Sequence, residues 1–340
     1  MRERIRLTLV TLAASTFFFA GSPGLSAQAA VDEVTPPLTE WGAPDLRGVW
    51  DFRTMTPLER PASFGEKEFL SDEEAAEFEE QTRRRLDFDN RSSIARIDVE
   101  TAYNNFWWDW GDKLTDDKRT SLIVDPPNGR IPAMTEEGKK TTSAGRGKRP
   151  VRQTVVIGSR AHGPEDLGLS ERCIIGFNAG PPILPSAYNN NVQLFQTRDH
   201  VAIFNEMIHH TRIVPLDGRE TLDDGILQWQ GSSRGHWEGS TLVVESTNFT
   251  NKTPSFPSLL GAMGTGETLH LTERFTRIDA DTLLYEFTVD DPVTFTAPFT
   301  VAIPWKKGEG AIYEYACHEG NYGMANLLAG ARAVERAAEK

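Results

Sequence analysis

The sequence predicts a mainly β protein, an antiparallel barrel that follows an N-terminal extension with a helix and many aromatic residues. From Arg172 onward, runs rich in Val, Ile, Phe and Thr follow one another with short turns between them. No helical run separates these segments, which excludes a parallel βαβ sheet. The 28 glycines and 20 prolines are spread along the chain and favour many short elements. A meander of about eight or nine long strands tends to curl and close, because closure removes exposed edges.

The first 29 residues have the three parts of a secretory signal. A basic start at residues 2–6 precedes an apolar run at 7–20, and Ala27-Gln28-Ala29 provides a cleavage point. The apolar run is too short to span a bilayer comfortably. We therefore expect an exported protein, periplasmic or secreted, that has no membrane anchor and is cleaved near Ala29.

The net charge of the chain is strongly negative. It is −13 for the whole sequence and becomes −15 when residues 1–29, with three Arg and one Glu, are removed. A polyanion is repelled by such a surface, so nucleic acid is not expected as a partner. The basic residues of 139–152 are interpreted as a solvated loop rather than an anion site.

The extension, residues 30–165, begins with a strand predicted at 45–52. A helix is predicted at 71–86, because Ser71 and Glu74 have the spacing of a capping box. Acidic residues in its first turns and arginines in its last turn suit the helix dipole. Two short apolar runs joined by a turn with Asn128-Gly129 predict a hairpin at 120–132.

An aromatic cluster occupies residues 103–110, Tyr-Asn-Asn-Phe-Trp-Trp-Asp-Trp. Such a cluster is either a plug that packs against the core or the wall of a ligand pocket. Trp107 and Trp108 are the candidates for ligand contact.

The barrel is predicted at residues 166–323, and a helical tail at 324–340 follows it. The long segment 251–266 has the length of a lid. The strands are predicted at 173–177, 191–197, 200–214, 226–230, 241–246, 268–277, 282–289, 294–303 and 311–317.

Two Gly-x-Trp triplets, Gly48-Val49-Trp50 and Gly235-His236-Trp237, resemble the motif that begins strands in lipocalin-like calycin barrels. Longer stretches look like a family of uncharacterised exported bacterial proteins. This resemblance implies export and a shared lipocalin-like architecture, and it transfers no catalytic role. The stretches that carry it are 119–132, 189–191, 205–209, 234–239 and 313–322.

The cysteines of the mature chain are Cys173 and Cys317. In an oxidising compartment a disulfide between them is the natural inference. It would close a loop of 144 residues and contribute at most about 5 kcal/mol in the chain-entropy model. A metal thiolate or a catalytic thiol beside His318 are the alternatives.

Several ionisable residues interrupt the apolar segment 200–214. Burying them without a partner or a purpose is costly, so they mark a possible site. On one continuous strand, Glu206, His210 and Arg212 share a face, and Asn205 and His209 point the other way, unless a bulge shifts the register.

Glu273 is a second anomaly, because it shares a strand face with Leu271 and Phe275. A buried carboxylate is suited to proton transfer near neutrality. The alternative is a structural ion pair with an arginine of a neighbouring strand, either Arg212 or Arg234.

Metal, nucleotide and serine-hydrolase chemistry have no clear motif. The six histidines in or near the β-rich part, at 200, 209, 210, 236, 270 and 318, include no His-x-His and no His-Glu-x-x-His, so no metal is expected. Gly-x-Ser-x-Gly and phosphate-binding glycine loops are also missing from the sequence, and no cofactor is expected.

These residues favour an exported, cofactor-independent lyase, hydratase or isomerase that acts on a small apolar or carbohydrate-like molecule. Glu206 or Glu273 would move a proton with His209 or His236, and Arg212 or Arg234 would hold negative charge. The alternative is a non-catalytic, lipocalin-like protein that binds a small ligand. The expected ligand contacts are Trp107, Trp108, Tyr188, Asn190, Asn205, Arg234 and His318.

Overall fold

The strands of the computed structural model follow one another around a nearly closed antiparallel barrel. The structure describes residues 37–87, 89, 105–140, 163–164, 167, 169–250 and 266–339. The predicted secretory signal, the segment 251–265 and most of the predicted basic loop lie outside the described residues. Within the described residues, the strands are β1 (Gly48–Asp51), β2 (Ile123–Asp125), β3 (Asn191–Gln196), β4 (His200–Asn205), β5 (Thr211–Pro215), β6 (Ser232–Glu238), β7 (Thr241–Thr247), β8 (His270–Arg277), β9 (Thr282–Asp290) and β10 (Phe299–Lys307). The long α-helices are α1 (Asp72–Arg85) and α2 (Tyr322–Ala338), and residues 136–140 are also helical.

Nine strands form the wall of the barrel in the order β5-β4-β3-β1-β10-β9-β8-β7-β6. Neighbours in this order pair antiparallel, and the short strand β2 pairs with β10 beside this path. The prediction of an antiparallel, lipocalin-like barrel is confirmed. The barrel also includes β1 and β2, so it is not confined to residues 166–323.

The barrel closes where β5 meets β6, without a hydrogen-bonded ladder between these two strands. Because the direction alternates along nine strands, the first and the last strand point the same way and cannot extend the antiparallel pattern. Side chains make the contact instead. A Cβ atom at Gly235 of β6 would lie 2.8 Å from a methyl group of Val214 and 2.6 Å from one of Leu216. The junction therefore requires a residue without a side chain at this position.

The barrel interior is filled by large side chains. Trp50, Phe275, Tyr285, Phe287 and Trp305 are fully buried. The ring centroids of Tyr285 and Trp305 are 4.5 Å apart, and those of Phe275 and Tyr285 are 5.0 Å apart. This packing follows from the alternation in β8 and β9, in which every second residue faces inward.

One end of the barrel, which we call the mouth, lies where β1 ends and β3 begins, with Asp51 opposite Asn191. The segment 178–185 plugs it. Ile183 of this plug is fully buried in the barrel core, and its backbone N–H donates to the Tyr285 hydroxyl at 3.0 Å. A plug therefore exists, but it is formed by this segment and not by the described part of the aromatic cluster, residues 105–110.

Helix α1 begins with the capping box that the sequence indicates. The Ser71 hydroxyl accepts from the backbone N–H of Glu74 at 3.3 Å, and the Glu74 carboxylate accepts from the N–H of Ser71 at 2.9 Å. Buried Glu79 attaches the helix to the extension by accepting from the N–H of Leu114 at 3.0 Å. Helix α2 begins after Asn321 and corresponds to the predicted helical tail.

The predicted long strand at 200–214 is wrong, because the segment is a hairpin. β4 ends at Asn205, a single 3₁₀ turn occupies 207–209, and β5 begins at Thr211. Ile208 and His209 have positive φ angles of 59° and 42°, a conformation that apolar periodicity does not reveal. Because the chain reverses direction here, the prediction that Glu206, His210 and Arg212 share one strand face, opposite Asn205 and His209, is wrong.

Other strand predictions are also wrong. The segments 173–177, 226–230 and 311–317 form turns or irregular structure. The hairpin at 120–132 is replaced by β2, which pairs with β10 and not with 130–132. β10 begins at Phe299, later than predicted. β6 was not among the predicted strands, although it pairs with β7 along its whole length.

A disulfide joins Cys173 to Cys317, with 5.8 Å between the Cα atoms. The inferred pairing is confirmed, and the thiolate and catalytic-thiol alternatives are wrong. The bond attaches the segment after β10 to the segment that leads into the plug. In the part of the chain that the structure describes, no helix is long and apolar enough to cross a bilayer.

We predict that Gly235→Ala destabilises the protein by about 1–3 kcal/mol, because the added methyl group overlaps Val214 and Leu216 at the β5–β6 junction. Equilibrium urea unfolding measures the effect. The matched control is Gly310→Ala, since a Cβ atom there meets nothing within 4 Å. Equal unfolding midpoints for the two variants would contradict the close approach.

Candidate functional site

The residues predicted to act in a site are found in three places. Arg212 and Glu273 lie inside the barrel, and Glu206, Trp107, Trp108 and Tyr188 lie together at the mouth. The other predicted residues lie outside these two places.

Arg212 and Glu273 form an ion pair in the barrel interior, with 8% and 0% of their side chains exposed. The Arg212 Nη2 atom donates to Oε1 of Glu273 at 2.8 Å, and Nη1 contacts Oε2. The Tyr285 hydroxyl also donates to Oε1, at 2.7 Å. Nη1 of Arg212 lies 3.4 Å from the Ser233 hydroxyl, which hydrogen-bonds to Ser246 at 2.8 Å. One buried network therefore links β5, β6, β7, β8 and β9.

The surroundings of Arg212 favour its charged form. Burial alone would lower the pKa of Arg212, but the adjacent Glu273 carboxylate outweighs that effect and raises it. Burial, assisted by the same negative charge, raises the pKa of Tyr285 well above its usual value. A carboxylate with three donors and no exposed surface cannot reach a ligand unless the barrel opens. We therefore assign the pair a structural role, which is the alternative that the sequence left open for Glu273.

A cleft of about 570 Å³ lies at the mouth. We call it the mouth cleft. It combines four aromatic residues besides Tyr315 with two carboxylates and two carboxamides. Its lining residues are Phe106, Trp107, Trp108, Asp109, Tyr188, Asn189, Asn191, Glu206 and Tyr315.

Asn190, which lies behind the cleft, joins two of its walls. Its side-chain amide donates to the backbone carbonyls of Asp109 and Ser186, both at 2.8 Å. Its carbonyl oxygen accepts from the N–H of Ser186 at 2.8 Å. The backbone N–H of Asp109 also donates to the carbonyl of Ala187 at 2.6 Å. Asn190 is thus fully buried and supports the site, although the sequence indicated it as a ligand contact.

Glu206 is placed by the start of β3. Its Oε2 atom accepts from the side-chain amide of Asn191 at 2.8 Å, and its backbone N–H donates to the carbonyl of Asn191 at 3.0 Å. The chain reverses direction directly after Glu206, in the 3₁₀ turn at 207–209. This reversal leaves Glu206 at the cleft and separates Glu206 from Arg212.

The opposite wall is formed by Tyr315, in the segment that the disulfide holds. The backbone carbonyl of Tyr315 lies 3.0 Å from Nδ1 of His209. His209 therefore supports the cleft from outside its lining. Tyr315 is a functional candidate that sequence reasoning missed, because its position depends on the Cys173–Cys317 bond.

The aromatic residues form the most accessible part of the cleft. Phe106 and Trp107 are 85% and 57% exposed and meet edge to face at 5.1 Å. Trp108 stacks on Trp110 at 5.5 Å and is tilted against Tyr188 at 6.2 Å. Of the two alternatives for the aromatic cluster, its described part forms the wall of a cleft.

The charged residues that line the cleft are Asp109 and Glu206, both acidic. Asp109 also forms an ion pair with Arg53. No basic side chain lines the cleft in the described part of the chain, so its potential opposes an anionic ligand.

The remaining candidates are not brought to the mouth cleft. His236 is exposed on the outer wall, with Nε2 3.3 Å from Glu238. Arg234 donates to the carbonyls of Glu220 and Ser233 at 2.7 Å. Asn205 is buried and donates to the carbonyl of Ala179 in the plug at 3.3 Å.

His318 is exposed and is not among the residues that line the cleft. Among the described residues, no group of three or more His, Cys, Asp and Glu side chains has the arrangement of a metal site.

A larger groove of about 920 Å³ runs beside α1 and the outer face of β1 and β10. Its charges pair with one another, as Arg83 does with Glu80 at 3.2 Å and Lys306 does with Asp116. Such paired surface charges are solvated and contribute little, so volume alone does not make this groove the functional site.

We predict that Glu273→Gln lowers the free energy of unfolding by about 3–5 kcal/mol, because it leaves the buried Arg212 charge uncompensated. Urea unfolding tests this change. The double variant Arg212→Met/Glu273→Leu should be less destabilised than the single variant, since it removes both charges.

The matched control is Glu238→Gln, which breaks an exposed pair with Arg274 and should have little effect. If Glu273→Gln unfolds at the same urea concentration as the wild type, the structural role of the pair is refuted.

Comparison with known proteins adds no identification: no protein-family model matches the chain, and no curated protein sequence is significantly similar to it.

Proposed function

We propose that this chain is an exported binding protein whose mouth cleft takes a small, uncharged, carbohydrate-like ligand. The observation that carries the proposal is the composition of the cleft, in which accessible aromatic rings adjoin carboxamide and carboxylate groups. The packed barrel interior and its plug support a site at the mouth rather than in the lumen.

The lining suits such a ligand physically. Aromatic faces remove the apolar faces of a sugar ring from water, and this burial is favourable. The side chains of Asn189 and Glu206 offer donors and acceptors for hydroxyl groups. The volume of about 570 Å³ lies within the usual range of small-molecule sites. The two carboxylates disfavour acidic ligands.

A cofactor-independent lyase, hydratase or isomerase is the second candidate, and the observation in its favour is that Glu206 lines the cleft. In that case Glu206 would move the proton. The separate pairing of the other candidates argues against it, because His209 is engaged by Tyr315 and His236 by Glu238. Acid/base catalysis needs such groups within hydrogen-bond reach of one substrate.

Export is part of the proposal. The disulfide supports it, because such bonds persist in oxidising compartments. The resemblance to exported bacterial proteins and the form of residues 1–29 agree with it.

We predict that a neutral oligosaccharide found on a glycan microarray binds about tenfold more weakly to Trp107→Ala than to the wild type. The reason is the loss of an aromatic surface that is more than half exposed in the free protein. Isothermal titration calorimetry measures the affinity. The control is Trp229→Ala, an exposed tryptophan outside the cleft lining, which should bind like the wild type. If no uncharged glycan binds, or if both variants bind equally, the proposal fails.

Glu206→Gln distinguishes the two candidate functions. For a binding protein, the recovered oligosaccharide is unchanged after incubation and the variant still binds it. For an enzyme, the wild type converts the oligosaccharide and the variant does not. Chromatography of the incubated oligosaccharide, with Glu286→Gln on the outer face of β9 as a control, separates these results.

We also predict that the protein isolated from its host begins near Ala30 and has no reactive thiol. Intact mass spectrometry with and without thiol alkylation measures both properties. A mass that includes residues 1–29 together with two alkylated cysteines would contradict export.

A further inference from the structure

A second cavity, of about 370 Å³, lies behind the mouth cleft and shares no lining residue with it. The loop 54–59, the end of α1 and residues 184–186 contribute to its lining. We call it the apolar cavity, because most of its wall consists of apolar side chains. These include Met55, Leu58, Leu86, Leu122, Phe177 and Leu184.

Two polar groups in this apolar wall have no hydrogen-bond partner among the described residues. The Ser186 hydroxyl and the Trp110 indole N–H are buried and make no hydrogen bond to the described part of the chain. Both residues line the cavity, and Ser186 is only 2% exposed. The backbone of Ser186 is fully engaged, because Asn190 accepts from its N–H and donates to its carbonyl. The hydroxyl is therefore held in place and remains available for another acceptor or donor.

Such groups are costly when they stay unsatisfied. A buried donor without a partner loses about 1–3 kcal/mol relative to water. Two of them in one apolar cavity are a departure from the general rule that buried polar groups are paired. An indole N–H only donates, and a serine hydroxyl donates or accepts. An acceptor oxygen on a ligand can therefore satisfy both groups.

The charges at the cavity favour an uncharged acceptor. Arg85 and Glu59 both line it and have opposite signs. Glu59 also accepts from the backbone N–H of Ile131 at 3.0 Å. The lining therefore has no net charge to balance an anion.

We propose that the apolar cavity is a second ligand site, which binds a small, mainly apolar molecule with a neutral carbonyl group. The carbonyl oxygen accepts from the Trp110 indole and the Ser186 hydroxyl, and the apolar body fills the cavity. This site goes beyond the function proposed for the mouth cleft and does not depend on it.

A matched pair of probes tests the proposal. 2-Acetylnaphthalene has the carbonyl group, and 2-ethylnaphthalene has nearly the same shape without it. Titration of the ¹⁵N-labelled full chain follows the indole N–H signal of Trp110, which is assigned by its loss in Trp110→Phe. We expect this signal to shift with the ketone, and the ketone to bind about tenfold more tightly than the hydrocarbon.

Two variants test whether the difference in affinity between the ketone and the hydrocarbon comes from the hydrogen bonds of Trp110 and Ser186. Ser186→Ala and Trp110→Phe should each weaken ketone binding about three- to tenfold and leave the affinity for the hydrocarbon nearly unchanged. Because the hydrocarbon reports on the shape of the cavity, a folding defect would weaken both probes. Leu58→Trp fills the cavity and should abolish binding of both.

The control variant is Trp107→Phe, which changes the mouth cleft only and should leave ketone binding unchanged. The proposal is overturned if neither probe binds, if both bind equally to the wild type, or if Trp107→Phe weakens the ketone as much as Trp110→Phe does. Glycan binding by the mouth cleft is measured separately, so failure of one site is distinguishable from failure of the other.

Discussion

The ion pair between Arg212 and Glu273 connects the parts of the barrel that the backbone leaves unconnected. Nine strands cannot all pair antiparallel around a ring, so β5 and β6 meet without a ladder. Arg212 reaches from β5 across the interior to Glu273 of β8 and also contacts Ser233 of β6. Through Tyr285, the same carboxylate is linked to the plug. One buried network thus holds the open junction, the far wall and the mouth in a single arrangement.

This arrangement decides where a ligand can bind. The inner space is occupied by the ion pair and by large aromatic side chains, and the plug closes its mouth. The mouth cleft and the apolar cavity both lie outside this packed interior. Asn190 contributes to both, because it holds Asp109 of the cleft and Ser186 of the cavity. Asn190 is therefore a shared support of two spaces with different chemistry.

Sequence patterns predicted the elements whose cause is local or periodic. Alternation placed Glu273 inward with Leu271 and Phe275, and the Ser71–Glu74 spacing gave the start of α1. The patterns failed where tertiary contacts override them. Ile208 looks like part of a strand but has a positive φ in a tight turn, and β6, which begins with two serines and contains Gly235, is held as a strand by β7.

The sequence by itself determined the barrel class, the acidic surface, the cysteine pair and the presence of costly ionisable groups in apolar strands. Composition and alternation are properties of neighbouring residues, and they are sufficient for these conclusions. Only the tertiary structure decided which groups come together: Glu273 pairs with Arg212 in the interior, Glu206 lines the mouth cleft with the aromatic cluster, and Trp110 and Ser186 line the apolar cavity. These partners are far apart in the chain, and the direction of the chain after β4 and the path of the plug determine their contacts.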